Sequence, residues 1–297
     1  MAETIHDDYL GCLGFRDAPF RLSPDPAFFY PARPHIAAKE ALKYGIGRGE
    51  GFMVLTGPPG TGKTLLLKLL LQEIGTQKVP VLVLTPAVDP PGLLRLILDD
   101  MGCDADGEDL GTLLRRFQTR LLELAGQGRE LLIIVDEAQD LPVETLEQLR
   151  LLSNVETSSR KLLQIVLMGQ PELEGLLEDP RLRQLSQRVV VQERLRPLTR
   201  AETEEYIAFR LARAGRADLK PSQRAVGRIQ RATSGIPRLI NRLMDRSLLM
   251  VAASGSHKIG AEHIARARET LPEPCQGGLF AFMRRMLPAL PIFFLNP

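Results

Sequence analysis

Short runs of consecutive apolar residues alternate with amphipathic stretches through the first two thirds of the chain. Such runs are typical of strands that are buried on both faces of a parallel sheet. They predict strands over 52–55, 79–84, 131–135, 162–168 and 189–191. Apolar positions at helical spacing predict helices over 63–74, 91–101, 113–124 and 143–152. Strands that alternate with helices indicate right-handed crossovers and an open, doubly wound parallel α/β sheet.

The strand pattern stops after residue 197, and only helical patterns follow. Thr199 and Glu202 form the sequence signature of a capping box, which predicts that a helix covers 200–213. Further helices are predicted over 222–232, 236–252 and 261–270. The second part of the chain is therefore expected to be a small all-α domain.

The distribution of charge supports a boundary at the same point. Residues 1–197 contain 22 Lys and Arg and 28 Asp and Glu, a net charge of −6, whereas residues 198–272 contain 14 and 7, a net charge of +7. We therefore expect an α/β domain over 1–197 that includes an N-terminal segment at 10–50, a helical lid over 198–272 and an apolar tail over 273–297. The basic region could contact nucleic acid or the acidic domain of a neighbouring subunit, and we favour the neighbouring subunit.

The cysteines and the two ends of the chain indicate where in the cell the protein is expected. Cys12, Cys103 and Cys275 show no disulfide or metal-ligand spacing, which indicates reduced thiols in a cytoplasmic protein. The first ten residues do not form a secretory signal. The apolar stretch at 279–295 is interrupted by arginines and prolines, so it is not expected to be a regular spanning helix. It is a candidate for peripheral contact with the inner membrane, and a tail that folds back or stays disordered is the equal alternative.

A glycine-rich loop between the first strand and the next helix carries the strongest chemical signal. Its sequence, Gly57-Pro58-Pro59-Gly60-Thr61-Gly62-Lys63-Thr64, matches the phosphate-loop pattern GxxxxGK[ST] in full. Glycines let backbone N–H groups surround phosphate, and the following helix adds the positive end of its dipole. Lys63 is expected to reach the β- and γ-phosphates, Thr64 to ligate Mg²⁺, and Leu65 to complete the nucleotide-binding residues.

Two carboxylates follow the buried strand at 131–135. Ligands bind at the carboxyl edge of open α/β sheets, so Asp136 is expected to hold Mg²⁺ and Glu137 to activate the attacking water. The alternative, in which the pair only caps the strand, is disfavoured by the presence of the phosphate loop.

Polar residues elsewhere could complete such a site. Gln170 follows the next strand and could touch the γ-phosphate or the water, or it is a turn residue before a proline. Arg188 is our candidate for a cation that reaches a neighbouring subunit's phosphates, ahead of Arg181 and Arg183 on the same predicted helix, although each could be a surface charge. Arg238 opens a helix, where its charge opposes the helix dipole, and it could reach back to the phosphates.

The order of these motifs resembles that of the AAA+ ATPases, and more narrowly of the GspA/ExeA-type secretion ATPases. The resemblance covers about residues 10–270 and rests on the strings Gly14-Phe15, Ser23-Pro24-Asp25-Pro26, Asp136-Glu137-Ala138-Gln139, Leu152-Ser153-Asn154-Val155-Glu156-Thr157, Gly169-Gln170-Pro171 and Gly235-Ile236-Pro237-Arg238. The family's phosphate loop often has Glu where this chain has Pro58. Secretion members also continue into a membrane span and a peptidoglycan-binding domain, so we do not carry over a cell-wall function.

The resemblance implies several functional properties. It implies ATP and Mg²⁺ as cofactors, γ-phosphate sensors at Gln170 and Arg238, and an arginine finger near Arg188. It also implies a homo-oligomer that forms a ring or assembles with nucleotide, and a partner in type II secretion, type IV pili or exopolysaccharide export. The alternatives are a DNA-dependent AAA+ ATPase of the transposition or replication-loader kind, and an adaptor that binds nucleotide without turnover.

Overall fold

A five-stranded parallel sheet forms the centre of the protein. The structure, a computed structural model, describes residues 9–84, 88–155 and 161–271. The strands are β1 (Phe52–Thr56), β2 (Lys78–Val83), β3 (Glu130–Val135), β4 (Leu163–Gly169) and β5 (Val189–Arg194), in the order β2-β3-β4-β1-β5. All neighbouring pairs are parallel. The predicted doubly wound α/β fold is confirmed, and β5 is longer than its sequence pattern indicated.

The strand register brings the chemically interesting segments to one edge. In β1, Thr56 pairs with Gly169 of β4, and Val135 of β3 pairs with Leu167. The residues that follow these three strands therefore emerge side by side, at the carboxyl edge where open α/β sheets bind ligands.

Helices cover both faces of the sheet. They are α1 (Arg33–Arg48), α2 (Lys63–Glu73), α3 (Pro90–Asp100), α4 (Leu110–Gly126), α5 (Val143–Leu152), α6 (Glu172–Leu177) and α7 (Arg183–Ser186). One face carries a core built with α3, α4 and α5, and the other a core built with α1 and α2. The sequence patterns missed α1, whose buried Ala38, Leu42 and Ile46 recur at intervals of four residues.

Four helices make up the second domain: α8 (Arg200–Arg213), α9 (Gln223–Thr233), α10 (Pro237–Ala253) and α11 (Ala261–Glu269). The capping box is present, with the Thr199 side chain accepting from the N–H of Glu202 and the Glu202 side chain accepting from the N–H of Thr199. Their apolar faces form a separate hydrophobic cluster.

The N-terminal segment packs partly against this helical domain. Leu13, Phe20 and Ala32 are buried in the same cluster as the four helices. Arg210 of α8 is 5% exposed and lies 5.0 Å from the ring centroid of Phe28. Residues 10–32, which the sequence grouped with the α/β domain, thus connect the two domains through their packing.

The apolar tail predicted at 273–297 lies outside the described residues, as does Cys275. Within the described ranges, none of the helices has the length and apolar character needed to cross a membrane.

Candidate functional site

The phosphate loop joins β1 to α2 in a conformation that depends on glycine. Gly60 and Gly62 have φ angles of 80° and 106°, which side-chain-bearing residues adopt only with strain. A Cβ on Gly60 would lie 2.7 Å from Cβ of Arg238. The N–H groups of Gly60, Gly62, Lys63 and Thr64 donate to no acceptor within the described ranges. A cluster of unpaired N–H groups at a helix N-terminus is suited to bind phosphate.

Lys63 is held inside the loop. Its side chain is 6% exposed, and its Nζ donates to the Gly57 carbonyl at 2.8 Å. Burial lowers the pKa of Lys63, and the negative charges of Glu137 and Asp136 oppose that shift. A bound triphosphate would add further negative charge and stabilise the ammonium form.

The first acidic residue contacts the loop directly. Thr64 Oγ1 donates to Asp136 Oδ2 at 3.2 Å, although the two residues are 72 positions apart. A hydroxyl and a carboxylate are oxygen ligands suited to Mg²⁺, which protein sites often hold with one or two carboxylates and the phosphates of the substrate. Residues 9–84, 88–155 and 161–271 contain no group of three or more His, Cys, Asp or Glu placed to bind a metal. The hydroxyl of Thr64 and the carboxylate of Asp136 supply two oxygens of a kind that fits a Mg²⁺ site.

Glu137 has an unusual backbone conformation and two amide partners. Its φ of 52° lies in the left-handed region, where non-glycine residues cluster at functional sites. Its Oε2 accepts from Gln139 Nε2 at 3.0 Å and from Gln170 Nε2 at 3.3 Å. The structure thus places the Gln170 side chain beside Glu137.

Sequence reasoning assigned no role to Gln139, which connects these groups. Gln139 Oε1 accepts from the backbone N–H of Gln170 at 2.9 Å. A Cβ on Gly169 would lie only 2.7 Å from Gln139 Oε1, so the amide fits because residue 169 is glycine. The only available signal was the position of Gln139 in the quoted Asp-Glu-Ala-Gln string.

Arg238 lies against the phosphate loop from the helical domain. Its backbone N–H donates to the Gly60 carbonyl at 3.2 Å, and α10 begins one residue earlier. Its side chain is exposed and has no hydrogen bond or ion pair with a described residue. The guanidinium is therefore free to turn toward a ligand in the loop.

We expected the three remaining candidates, Arg181, Arg183 and Arg188, to lie on one helix. The structure shows that they do not. Arg181 belongs to a short 3₁₀ turn and pairs with Asp179, and α7 ends two residues before Arg188. Arg188 Nη1 donates to Ser153 Oγ at 3.0 Å and to the Arg150 carbonyl at 3.4 Å. Arg188 is thus bound to the C-terminal end of α5 in its own chain. Arg183 is exposed and has no such contact with a described residue.

A small aromatic pocket lies next to Thr61 and Gly62 of the phosphate loop. Phe29, Tyr30 and His35 line it together with Gly62 and Leu65. His35 is 6% exposed, and its Nε2 lies 2.8 Å from the Thr61 carbonyl. Burial lowers the pKa of His35, and its Nδ1 is buried with no hydrogen-bond partner in the described parts of the chain. No pattern in the local sequence relates His35 to the phosphate loop.

Strand order, phosphate loop and acidic pair together define a P-loop nucleoside triphosphatase. Comparison with known proteins agrees with this class. Residues 46–177 match the family described as AAA domain. The chain is 40% identical over 252 residues to General secretion pathway protein A of Aeromonas hydrophila, covering 84% of this chain and 46% of that protein. It is 29% identical over 248 residues to Holliday junction branch migration complex subunit RuvB of Anaeromyxobacter sp. (strain K), covering 82% and 65%.

A solved structure of low identity supports the fold alone. The Aeropyrum pernix ORC2 protein superposes with a TM-score of 0.64 at 16% identity, covering 86% of this chain and 73% of that one. The chain thus contains an AAA domain and is similar to General secretion pathway protein A over 84% of its own length. It spans less than two thirds of the length of each of these two relatives.

Proposed function

We propose that this chain binds and hydrolyses ATP with Mg²⁺ at the carboxyl edge of its sheet. The proposal rests on one observation: the hydroxyl of Thr64 and the carboxylate of Asp136 lie 3.2 Å apart, with Lys63 and Glu137 adjacent. The phosphate-binding and acidic halves of the site therefore act on one triphosphate.

Each residue has a defined part in this proposal. The unpaired N–H groups of the loop bind the phosphates, and Lys63 Nζ exchanges the Gly57 carbonyl for a phosphate oxygen. Thr64 and Asp136 hold Mg²⁺, which neutralises charge that develops on the transferred phosphoryl group. Glu137 orients a water and takes its proton, while Gln139 and Gln170 fix the direction of that carboxylate.

We place the base of the nucleotide in the aromatic pocket beside Gly62. Aromatic rings suit stacking on a planar base, and His35 Nδ1 offers an unsatisfied polar atom. The pocket is narrow, and Tyr206 and Pro237 of the helical domain also line it. The helical domain must therefore move away from the loop when nucleotide enters, which would couple binding to domain rotation.

In this proposal, a second copy of the chain completes the ATP site. Arg238 supplies a cation from the chain's own helical domain. Charge that develops at the γ-phosphate is stabilised further by an arginine from outside the subunit. Arg188 remains our candidate for that residue. It would have to leave Ser153, and exposed Arg183 is the alternative.

We further propose that the ATPase serves assembly of a bacterial envelope system, through a partner in type II secretion, type IV pili or exopolysaccharide export. The support is the 40% identity to a protein named for the general secretion pathway. The proposed location is the cytoplasm, with contact at the inner membrane.

Phosphate release tests the enzymatic part of this proposal. The purified chain should release phosphate from ATP only with Mg²⁺, and Lys63→Ala should abolish nucleotide binding. Lys161→Ala is a charge-matched control, since Lys161 lies outside the loop. A strain that carries only Glu137→Gln should lose secretion, pili or exopolysaccharide as a deletion does. If all three outputs remain intact, the envelope role is wrong while the ATPase can stand.

A further inference from the structure

Four arginines line one groove in the helical domain, far along the chain from the phosphate loop. We call it the arginine groove. It measures about 660 Å³, and its charged lining consists of Arg200, Arg224, Arg228 and Arg231. No role in nucleotide binding or hydrolysis involves these residues.

The helical repeat explains the alignment of the arginines. Arg224, Arg228 and Arg231 stand at positions i, i+4 and i+7 of α9, so they share one face over about 10 Å. Gly227 lies between them, and a Cβ there would meet Arg200 Nη2 at 3.8 Å. The fourth guanidinium thus comes from the start of α8 and lies across the same helix.

This positive charge is not balanced by nearby acids. Within residues 9–84, 88–155 and 161–271, none of the four arginines forms an ion pair. Three of them donate to backbone carbonyls: Arg200 to Gln223, Arg228 to Ala261 and Arg231 to Gly227. Arg200 Nη2 also lies 3.5 Å from the side-chain oxygen of Gln223.

Several carboxylates of the helical domain contact other groups: Glu202 pairs with Arg196, and Asp218 pairs with Arg216. Glu204 accepts from Gln223 Nε2 at 2.6 Å, and Glu262 lies 3.6 Å from His263 Nδ1. Like charges that line a concave surface reinforce the local potential and attract an anionic ligand.

We propose that the arginine groove binds the phosphate backbone of nucleic acid, without reading its sequence. Guanidinium groups form bidentate hydrogen bonds with phosphate, and a row of about 10 Å spans about three phosphates at 3.4 Å rise per strand. The lining contains no aromatic side chain on which a base could stack.

The shape and the lining disfavour two other anionic partners: an acidic protein surface, which the charge distribution along the sequence had favoured, and a membrane. Protein interfaces usually centre on large apolar or aromatic anchors, and the apolar lining here is limited to Ala261 and Gly227. The headgroups of a planar membrane do not enter a concave groove, and no apolar side chain is present to insert among lipids. A linear phosphate polymer fits both features.

Salt-dependent DNA binding by the full chain tests this proposal. Fluorescence anisotropy of a short labelled duplex of arbitrary sequence gives the slope of log K against log salt concentration. Four phosphate contacts predict a slope of about −3.6. The double variant Arg224→Gln/Arg231→Gln should flatten that slope by about 2 and weaken binding by tenfold or more at about 0.1 M salt. These two arginines are chosen because the bonds of Arg200 and Arg228 to the neighbouring segments are retained.

The matched control is Arg266→Gln/Arg268→Gln, which removes the same charge from exposed positions of α11 outside the groove. Under the proposal this control keeps at least most of the slope and affinity. Equal losses in both double variants would show diffuse electrostatic attraction and overturn the proposal, as would an absence of DNA binding by the wild type. Binding to phosphatidylglycerol vesicles that depends on Arg224 and Arg231, with no DNA binding, would also overturn it. ATP hydrolysis is not needed for any of these measurements.

Discussion

Gln139 and Gln170 are joined by a hydrogen bond of 2.9 Å from the backbone N–H of Gln170 to Oε1 of Gln139. The same Gln139 side chain donates to Glu137 through its Nε2 at 3.0 Å. One amide therefore connects the end of β4 to the carboxylate proposed as the base. The direction of the Glu137 side chain is held by this amide and by that of Gln170, which donates to the same oxygen.

Gln139→Ala should lower kcat by about tenfold, because a neutral cavity replaces one hydrogen bond to the carboxylate. The KM for ATP should change little, since Gln139 does not contact the phosphate loop. Steady-state phosphate release at varied ATP concentrations gives both values. Gln187→Ala, an exposed substitution of the same type, is the control. An unchanged kcat would show that Gln139 does not position the base.

Gly169→Ala should reproduce the Gln139→Ala defect without altering a polar group. The new Cβ would lie 2.7 Å from Gln139 Oε1 and displace the amide from Glu137 and Gln170. The double variant should be no slower than the slower single variant, because both changes break the same contact. Strictly multiplicative losses in kcat would contradict this connection.

Asp136→Asn should raise the Mg²⁺ concentration needed for half-maximal activity by tenfold or more, on the order expected when a charged metal ligand is lost. Thr64→Val should act in the same direction because it removes the other oxygen. Asp140→Asn, an exposed carboxylate four residues further on, is the matched control. A Mg²⁺ titration that is identical for Asp136→Asn and wild type would refute the metal assignment.

Glu202→Gln should destabilise the protein at neutral pH but not in acid. The hydrogen bond from Arg196 and the Thr199 N–H lower the pKa of Glu202 from its usual value near 4.5 to about 2. A carboxylate with a lowered pKa stabilises the fold above its unfolded-state pKa, and this contribution is lost as the pH falls from about 4.5 toward 2. The deficit of the variant, on the order of 1 kcal/mol or less for an exposed pair, should therefore shrink in that window.

Urea unfolding at pH 7 and near pH 3 measures this difference. Glu269→Gln, an exposed substitution of the same type at the end of α11, is the control, because Glu269 forms no hydrogen bond or ion pair with a described residue. A deficit of equal size at both pH values would mean that the charge of Glu202 does not stabilise the N-terminus of α8.

The central features of the site could be predicted from the sequence because they follow from short-range rules. The phosphate loop is contiguous, and parallel strands end at one edge, which brings Glu137 and Gln170 together. The prediction of a single helix before β5 was wrong. This segment forms a 3₁₀ turn that begins at Pro180, followed by the short helix α7.

His35 and Gln139 were missed for a different reason. His35 reaches Thr61 only because α1 packs against the phosphate loop, and nothing in the local sequence indicates that approach. The contact between Gln139 and Gln170 spans 31 positions and depends on the absence of a side chain at Gly169. Such contacts arise from tertiary packing, which the periodicity of apolar residues in the sequence does not indicate.

The Glu137→Gln variant tests most directly whether the loop and the acidic pair act on one nucleotide. ATP affinity and phosphate release are measured on the same preparation, with exposed Glu178→Gln as control. The variant should bind ATP within about threefold of wild type, since the loop and Asp136 are intact, and release phosphate 10² to 10⁴ times more slowly, roughly the loss expected for a general base. Turnover at the wild-type rate would contradict the proposed site.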